Sequence, residues 1–175
     1  KFNFTEFDMK ELIQEVIEEL EHKASKREVT IKLDIEPSKS YTTVADRQKI
    51  YRVCQNLIFN AVKYNHNGGE VIVGIKTSKS QIQVDVKDDG QGIPPEDLKR
   101  IFERFYRVEK SRSKEKGGTG LGLSIALEDA RLHNGELEAW GRPARGAHFV
   151  VTLPRNTWES IDQRLIPLQP EDYKA

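Results

Sequence analysis

Cysteine is nearly missing from this 175-residue chain, which holds Cys54 alone. A single thiol excludes an intramolecular disulfide and a cysteine zinc cluster, and it suits a reducing compartment. Net charge is missing too, because 28 lysine and arginine residues face 28 aspartate and glutamate residues. No overall field draws nucleic acid or an anionic membrane, so charge is informative only locally. No apolar run approaches the roughly 20 residues that span a bilayer, and the start, Lys1-Phe2-Asn3-Phe4, has no signal-peptide core. An initiator methionine is also lacking, so the chain reads as a cytoplasmic fragment whose parent carries any membrane segment elsewhere. What remains, 37% hydrophobic and 32% charged residues, suits one globular domain with a single core.

Apolar residues at three- and four-residue intervals from Met9 to Leu20, with Asp8 as N-cap, predict a helix over 8–26. Alternation from Val29 to Ile35 predicts a half-buried strand, and a short strand is expected over 41–44. A second helix is expected from Asp46 to the Asn67-Gly68-Gly69 stop, with Ile50, Val53, Cys54, Leu57, Ile58, Ala61 and Val62 as its apolar stripe. Runs over 71–77 and 81–87 read as a hairpin that pairs with the strand at Val29. A turn-rich loop from Asp88 leads to a short helix over 96–105, a basic irregular stretch over 107–118 and a helix over 123–133. A last hairpin joins 136–140 to 147–153. The predicted class is α+β: a two-layer sandwich with three helices on one face of a mixed, mainly antiparallel sheet. Residues 1–154 form this domain, and 155–175 lose periodicity and read as a loosely attached tail.

Three segments carry chemistry. Asn56, Asn60 and Lys63 stand at i, i+4 and i+7, within roughly 60° of one another on the helix. Neutral amide oxygens suit a hard, oxygen-seeking cation such as Mg²⁺ without repelling a phosphate, and a lysine one turn on can meet that phosphate; a merely solvated helix edge is the plain alternative. Asp88-Asp89-Gly90-Gln91-Gly92 follows a buried strand, so Asp88 can accept from an exocyclic amine while the glycines admit a flat base; a simple Asp-Gly turn is the alternative. Gly117-Gly118-Thr119-Gly120-Leu121-Gly122-Leu123 opens a helix whose free N–H groups can cradle phosphate, and it lacks the Gly-Lys-Ser/Thr of a P-loop. Between these loops, Phe102, Phe105 and Tyr106 can pin a basic segment containing Arg107, Lys110 and Arg112, as in a lid over a triphosphate.

In this order the segments resemble the four boxes of sensor histidine kinase catalytic domains in the GHKL, or Bergerat-fold, superfamily, over about 2–154. Asn56 to Tyr64 is similar to the N box, Asp88 to Pro94 to the G1 box, Ile101 to Arg107 to the F box, and Gly118 to Leu123 to the G2 box. The resemblance implies Mg-ATP as cofactor, with Asn60 and Asn56 at the metal and Lys63 and Tyr64 near the phosphates. It further implies Asp88, Gly90, Gly92 and Ile93 at the adenine, Phe105 and Arg107 at the lid edge with Arg107 near the γ-phosphate, and Gly118, Thr119, Gly120, Leu121, Gly122 and Leu123 around the phosphates. Partners implied are a dimerisation and histidine-phosphotransfer domain of the same parent and a downstream response regulator. The parent would be a homodimer anchored in the bacterial plasma membrane, and the isolated domain a monomer.

Hydrolysing members such as gyrase and MutL place a general-base glutamate where this chain has Asn56, and an amide cannot take a proton from water. None of His22, His66, His133 and His148 is followed by the pattern of a phosphoacceptor box, so the acceptor histidine is expected elsewhere, and His133 reads as a cap or surface group. Asn65-His66-Asn67 replaces the commoner Ser/Thr-Pro after the N box. The stretch from Ser124 to His133, with Leu137 to Gly141, is similar to actinobacterial MtrB-type kinases. A degenerate ATP-binding module and a GHKL-type ATPase remain the alternatives, and the lid over 107–118 is expected to lack order without nucleotide.

Overall fold

The computed structural model describes residues 2–106, 122–141, 143–155 and 166. Strand β1 (Phe4–Asp8) runs into helix α1 (Met9–Lys26), whose N-cap Asp8 accepts from the Lys10 N–H at 2.9 Å. Met9, Leu12, Ile13, Val16, Leu20 and Ala24, the residues on the predicted stripe side, are buried. Strands β2 (Thr30–Asp34) and β3 (Thr42–Asp46) lead to helix α2 (Arg47–Lys63), capped by Asp46. The hairpin β4 (Glu70–Thr77) and β5 (Gln81–Asp88) follows, then the single turn α3 (Pro95–Leu98), helix α4 (Gly122–Leu132), and strands β6 (Glu136–Gly141) and β7 (Ala147–Pro154).

The main sheet has the order β2-β4-β5-β7-β6, with β2 parallel to β4 and every other pairing antiparallel. Val71, Val73, Ile82, Val84, Val86, Phe149 and Val151 turn one face of it toward α1, α2 and α4, and this layer contact is the main core. The expected α+β sandwich is therefore what the chain adopts.

Three local expectations need correction. β1 pairs antiparallel with β3 in a separate two-stranded sheet that periodicity did not reveal. The helix expected over 96–105 stops at Leu98; turns follow, in which Ile101 is buried, Phe102 is partly buried against the core and Phe105 adopts φ 66. His133 is a cap but not a surface group: it is buried, Nδ1 meets Asp129 O in the last turns of the helix at 2.7 Å, and Nε2 accepts from the Asp46 N–H at 3.1 Å. A carbonyl only accepts, so the proton lies on Nδ1, and the ring locks the end of α4 to the start of α2.

Two tail residues are described, and both are held. The Arg155 guanidinium donates to the carbonyls of Thr42, Ser78 and Ser40 at 3.2, 2.9 and 2.9 Å, tying the small sheet to the β4–β5 turn. Ile166 packs on Trp140 and Val150, on the sheet face away from the helices, and its N–H donates at 2.8 Å to Gln83 Oε1. The tail residues 156–165 and 167–175 lie outside the described residues.

Candidate functional site

α2 is apolar along one side because that side lies in the core, and Asn56, Asn60 and Lys63 follow the edge of that stripe. All three line one cavity of about 260 Å³. Lys63 is 7% exposed, its ammonium 5.0 Å from the centre of the Tyr64 ring and 5.8 Å from that of Phe59. Aromatic faces compensate part of the cost of drawing that cation out of water. Among the described residues no group of three or more His, Cys, Asp or Glu side chains forms a metal site, and the oxygen donors that α2 brings to this cavity are the amides of Asn56 and Asn60.

The opposite wall comes from the end of β5. Asp88 Oδ1 accepts from the Gly90 N–H at 2.9 Å and, across the sheet, from the Ala147 N–H at 3.2 Å. Both backbone donors use the same oxygen, which leaves Oδ2 for the cavity that Asp88 lines. Burial pushes the Asp88 carboxyl up to about 6, against the two N–H donors and the nearby His148, which favour the charged form. Gly90 is a close-approach position: a Cβ there would sit 2.8 Å from Tyr64 O, so the loop rests on the end of α2 only without a side chain. Gly92, at φ 75, and Ile93 also line the cavity.

At the third side, Gly122 opens α4 and its backbone lies against Asn56, with a built Cβ 3.1 Å from Asn56 Oδ1. Leu123 completes this wall. Arg107, Gly118, Thr119, Gly120 and Leu121, and the lid over 107–118, lie outside the described residues. Phe105 is not brought in: it is 64% exposed, and its neighbour Tyr106, tied by its hydroxyl to Asp97, lines the cavity instead. Of the other expected residues, Asn56, Asn60, Lys63, Tyr64, Asp88, Gly92, Ile93, Gly122 and Leu123 share the cavity, and Gly90 supports it from behind.

Residues 45–157, more than half of the chain, match the family described as histidine kinase-, DNA gyrase B- and HSP90-like ATPases. The chain belongs to this family. Sensor histidine kinase MtrB of Mycobacterium tuberculosis is 34% identical over 163 residues, covering 93% of this chain and 28% of the relative. Sensor histidine kinase WalK of Bacillus subtilis is 40% identical over 120 residues, covering 67% of this chain and 20% of the relative. The chain thus spans under a third of the length of these curated relatives. Among solved structures, the nucleotide-free catalytic domain of histidine kinase ThkA superposes with a TM-score of 0.77 at 29% identity, covering 89% of this chain and 99% of that one. The chain is accordingly a histidine kinase-type catalytic domain, of a nucleotide-binding family.

Sequence reading missed Ala147 and Phe149, which line the kinase domain's cavity from β7. Their place depends on β7 lying beside β5, a long-range pairing with no local signal. The structure shows how tight that approach is at Gly146, which at φ 81 brings the turn so close that a Cβ would meet Asp88 O at 1.9 Å.

Proposed function

We propose that this domain binds Mg-ATP and presents the γ-phosphoryl to a histidine on a dimerisation and phosphoacceptor domain of the same, homodimeric and membrane-anchored parent, from which a response regulator receives it. The observation that carries this is the single cavity shared by the α2 amide edge, the Asp88 carboxylate and the start of α4. Asp88 Oδ2 accepts from the adenine amine, while Gly92 and Ile93 admit the flat base. Lys63 and Tyr64 meet the phosphates, and the N-terminus of α4 at Gly122 and Leu123 adds to that cradle. The family resemblance adds Arg107 near the γ-phosphate and Gly118, Thr119, Gly120 and Leu121 among the phosphate-binding residues. Asn60 and Asn56 offer two neutral oxygens to Mg²⁺, and their amide chemistry fits that ion. Bound Mg²⁺ supplies charge neutralisation along the triphosphate. Asn56 has no basicity, so this chain has no group there to activate water, and the bound phosphoryl is kept for a nucleophilic imidazole. Residues 1–154 form the nucleotide-binding unit, monomeric in isolation, with Arg155 and Ile166 packed on it.

A response regulator partner is supported by the solved complex of histidine kinase ThkA with response regulator protein TrrA, to which this chain is similar at a TM-score of 0.71 and 26% identity. Calorimetric titration with ATP and ADP, with and without Mg²⁺, followed by phosphotransfer to an acceptor domain supplied in trans, tests the reading. Mg-dependent binding and acceptor labelling are expected. Absence of binding overturns it, binding without labelling leaves the degenerate module, and steady phosphate release by the domain alone revives the ATPase.

A further inference from the structure

α2 ends at Lys63, and Asn65 shapes the turn beyond it, its Oδ1 accepting from the His66 N–H at 2.8 Å and its Nδ2 donating to Glu70 O at 3.2 Å. That turn sets the His66 ring between two backbone carbonyls: Nδ1 is 3.1 Å from Asn67 O, and Nε2 is 3.1 Å from Asp89 O. Carbonyl oxygens only accept, so a neutral imidazole makes one of these bonds and an imidazolium makes both. The Asp89 carbonyl belongs to the same peptide unit as the Gly90 N–H, which donates to Asp88 Oδ1 at 2.9 Å. Whatever holds Asp89 O therefore sets the orientation of a donor to the carboxylate in the cavity wall.

We propose that His66 is a positioning residue for nucleotide binding: its imidazolium bridges the Asn67 and Asp89 carbonyls, so pins the Asp89–Gly90 peptide and aims Asp88 into the cavity, and on deprotonation it keeps only one of the two bonds that make this bridge. The inference rests on the nucleotide reading of the Asp88 cavity. The charged surroundings agree with it. The Asn67 and Asp89 carbonyls hold the ring's titration above the usual imidazole range, against desolvation, and the Asp89 and Asp88 carboxylates add smaller contributions in the same direction as the carbonyls. Glu28, which accepts from Asn67 Nδ2 at 3.3 Å, and Glu70, whose N–H donates to Asp89 Oδ1 at 2.8 Å, flank the same turn. Arg27 opposes them, with its guanidinium on the carbonyls of Val62 and Asn65. A ring held protonated contributes its second bond at low pH and loses it as pH rises through the raised midpoint.

The test compares Mg-ADP affinity of the whole domain and of His66→Gln from about pH 6 to 9. Glutamine keeps a donor for Asp89 O and has no titrating proton, while the ligand's own phosphate titration is common to both proteins and cancels in the ratio of affinities. The wild type is expected to lose about two- to five-fold relative to the variant on the alkaline side, the span of one exposed hydrogen bond. The His66 ring signal in proton NMR is expected to titrate at the same midpoint. A ratio flat across pH, or a His66 midpoint below that of a free histidine, overturns the proposal. Binding by neither protein at any pH removes the nucleotide reading itself and this inference with it.

Discussion

Arg52 Nε and Nη2 donate to the two carboxylate oxygens of Asp129 at 3.0 and 3.1 Å, joining α2 to α4 one turn from Asn56 and two turns from Gly122. The Asp129 side chain is 2% exposed and that of Arg52 is 49% exposed. Arg52→Ala would strand a buried carboxylate, and because half of its partner is already solvated the cost is about 2 kcal/mol, below the ~3–5 kcal/mol of a fully buried pair. The same change would free the start of α4 to drift from Asn56, weakening nucleotide binding. Urea denaturation and nucleotide titration check both effects. A stability loss with full affinity would show that the ion pair does not align the two walls.

A second prediction concerns the turn before β7. Gly146→Ala must place a methyl group against Asp88 O in a backbone conformation, φ 81, that L residues avoid. Gly68 shares the positive φ, at 84, but has open space around its built Cβ. Strain alone costs about 1 kcal/mol at Gly68, whereas the added collision takes Gly146→Ala beyond about 2 kcal/mol and displaces Asp88. Thermal melts of the two variants, with nucleotide affinity as the second readout, separate strain from collision. Equal losses would remove the close-approach argument.

Periodicity made α1, α2, α4 and the β4–β5 hairpin legible, since each buries a regular stripe and the stripe is written locally. The Asn56, Asn60 and Lys63 edge was legible for the same reason, helical spacing being enough to gather three side chains. β1 was not: Phe4 to Asp8 earns its structure from pairing with β3, some forty residues away. Nor was the outer sheet face, where the polar strand residues Gln83 and Thr152 are fully buried and Gln83 bonds to Ile166. Ala147 escaped because its contribution to the site is a backbone N–H, which any residue but proline supplies.

That outer face yields the third prediction. Gln83 Nε2 donates to Thr152 Oγ1 at 2.8 Å, and Gln83 Oε1 depends on the Ile166 N–H, while the Ile166 side chain closes Trp140 and Val150 from solvent. Ile166→Asp would place a charge on this small cluster and release both contacts, at about 2–3 kcal/mol. In a Trp158→Phe background, Trp140 emission is expected to shift red and the melting temperature to fall. Unchanged emission would show that the tail does not shield Trp140 in solution.

The last prediction separates the two jobs of Asp88. Burial pushes its carboxyl from the ordinary 3.8 up to about 6, so the fold favours the protonated form. The stabilising contribution of that proton is full below pH 3.8 and is lost as pH rises through about 6. Acceptance from an adenine amine has the opposite requirement, an ionised oxygen, so nucleotide affinity is expected to rise across the same window. Asp88→Asn keeps a carbonyl-like Oδ1 for the Gly90 and Ala147 N–H groups and replaces the free Oδ2 with a donor. At neutral pH the variant is therefore expected to be more stable without nucleotide by about 1–2 kcal/mol, after discounting for partial exposure, and to bind adenine nucleotides at least about ten-fold more weakly. Denaturation of the free domain and titration with ATP measure the two signs independently. A variant that loses stability along with affinity would mean that the carboxylate charge holds the fold together, and the assignment of Oδ2 to a ligand would fail.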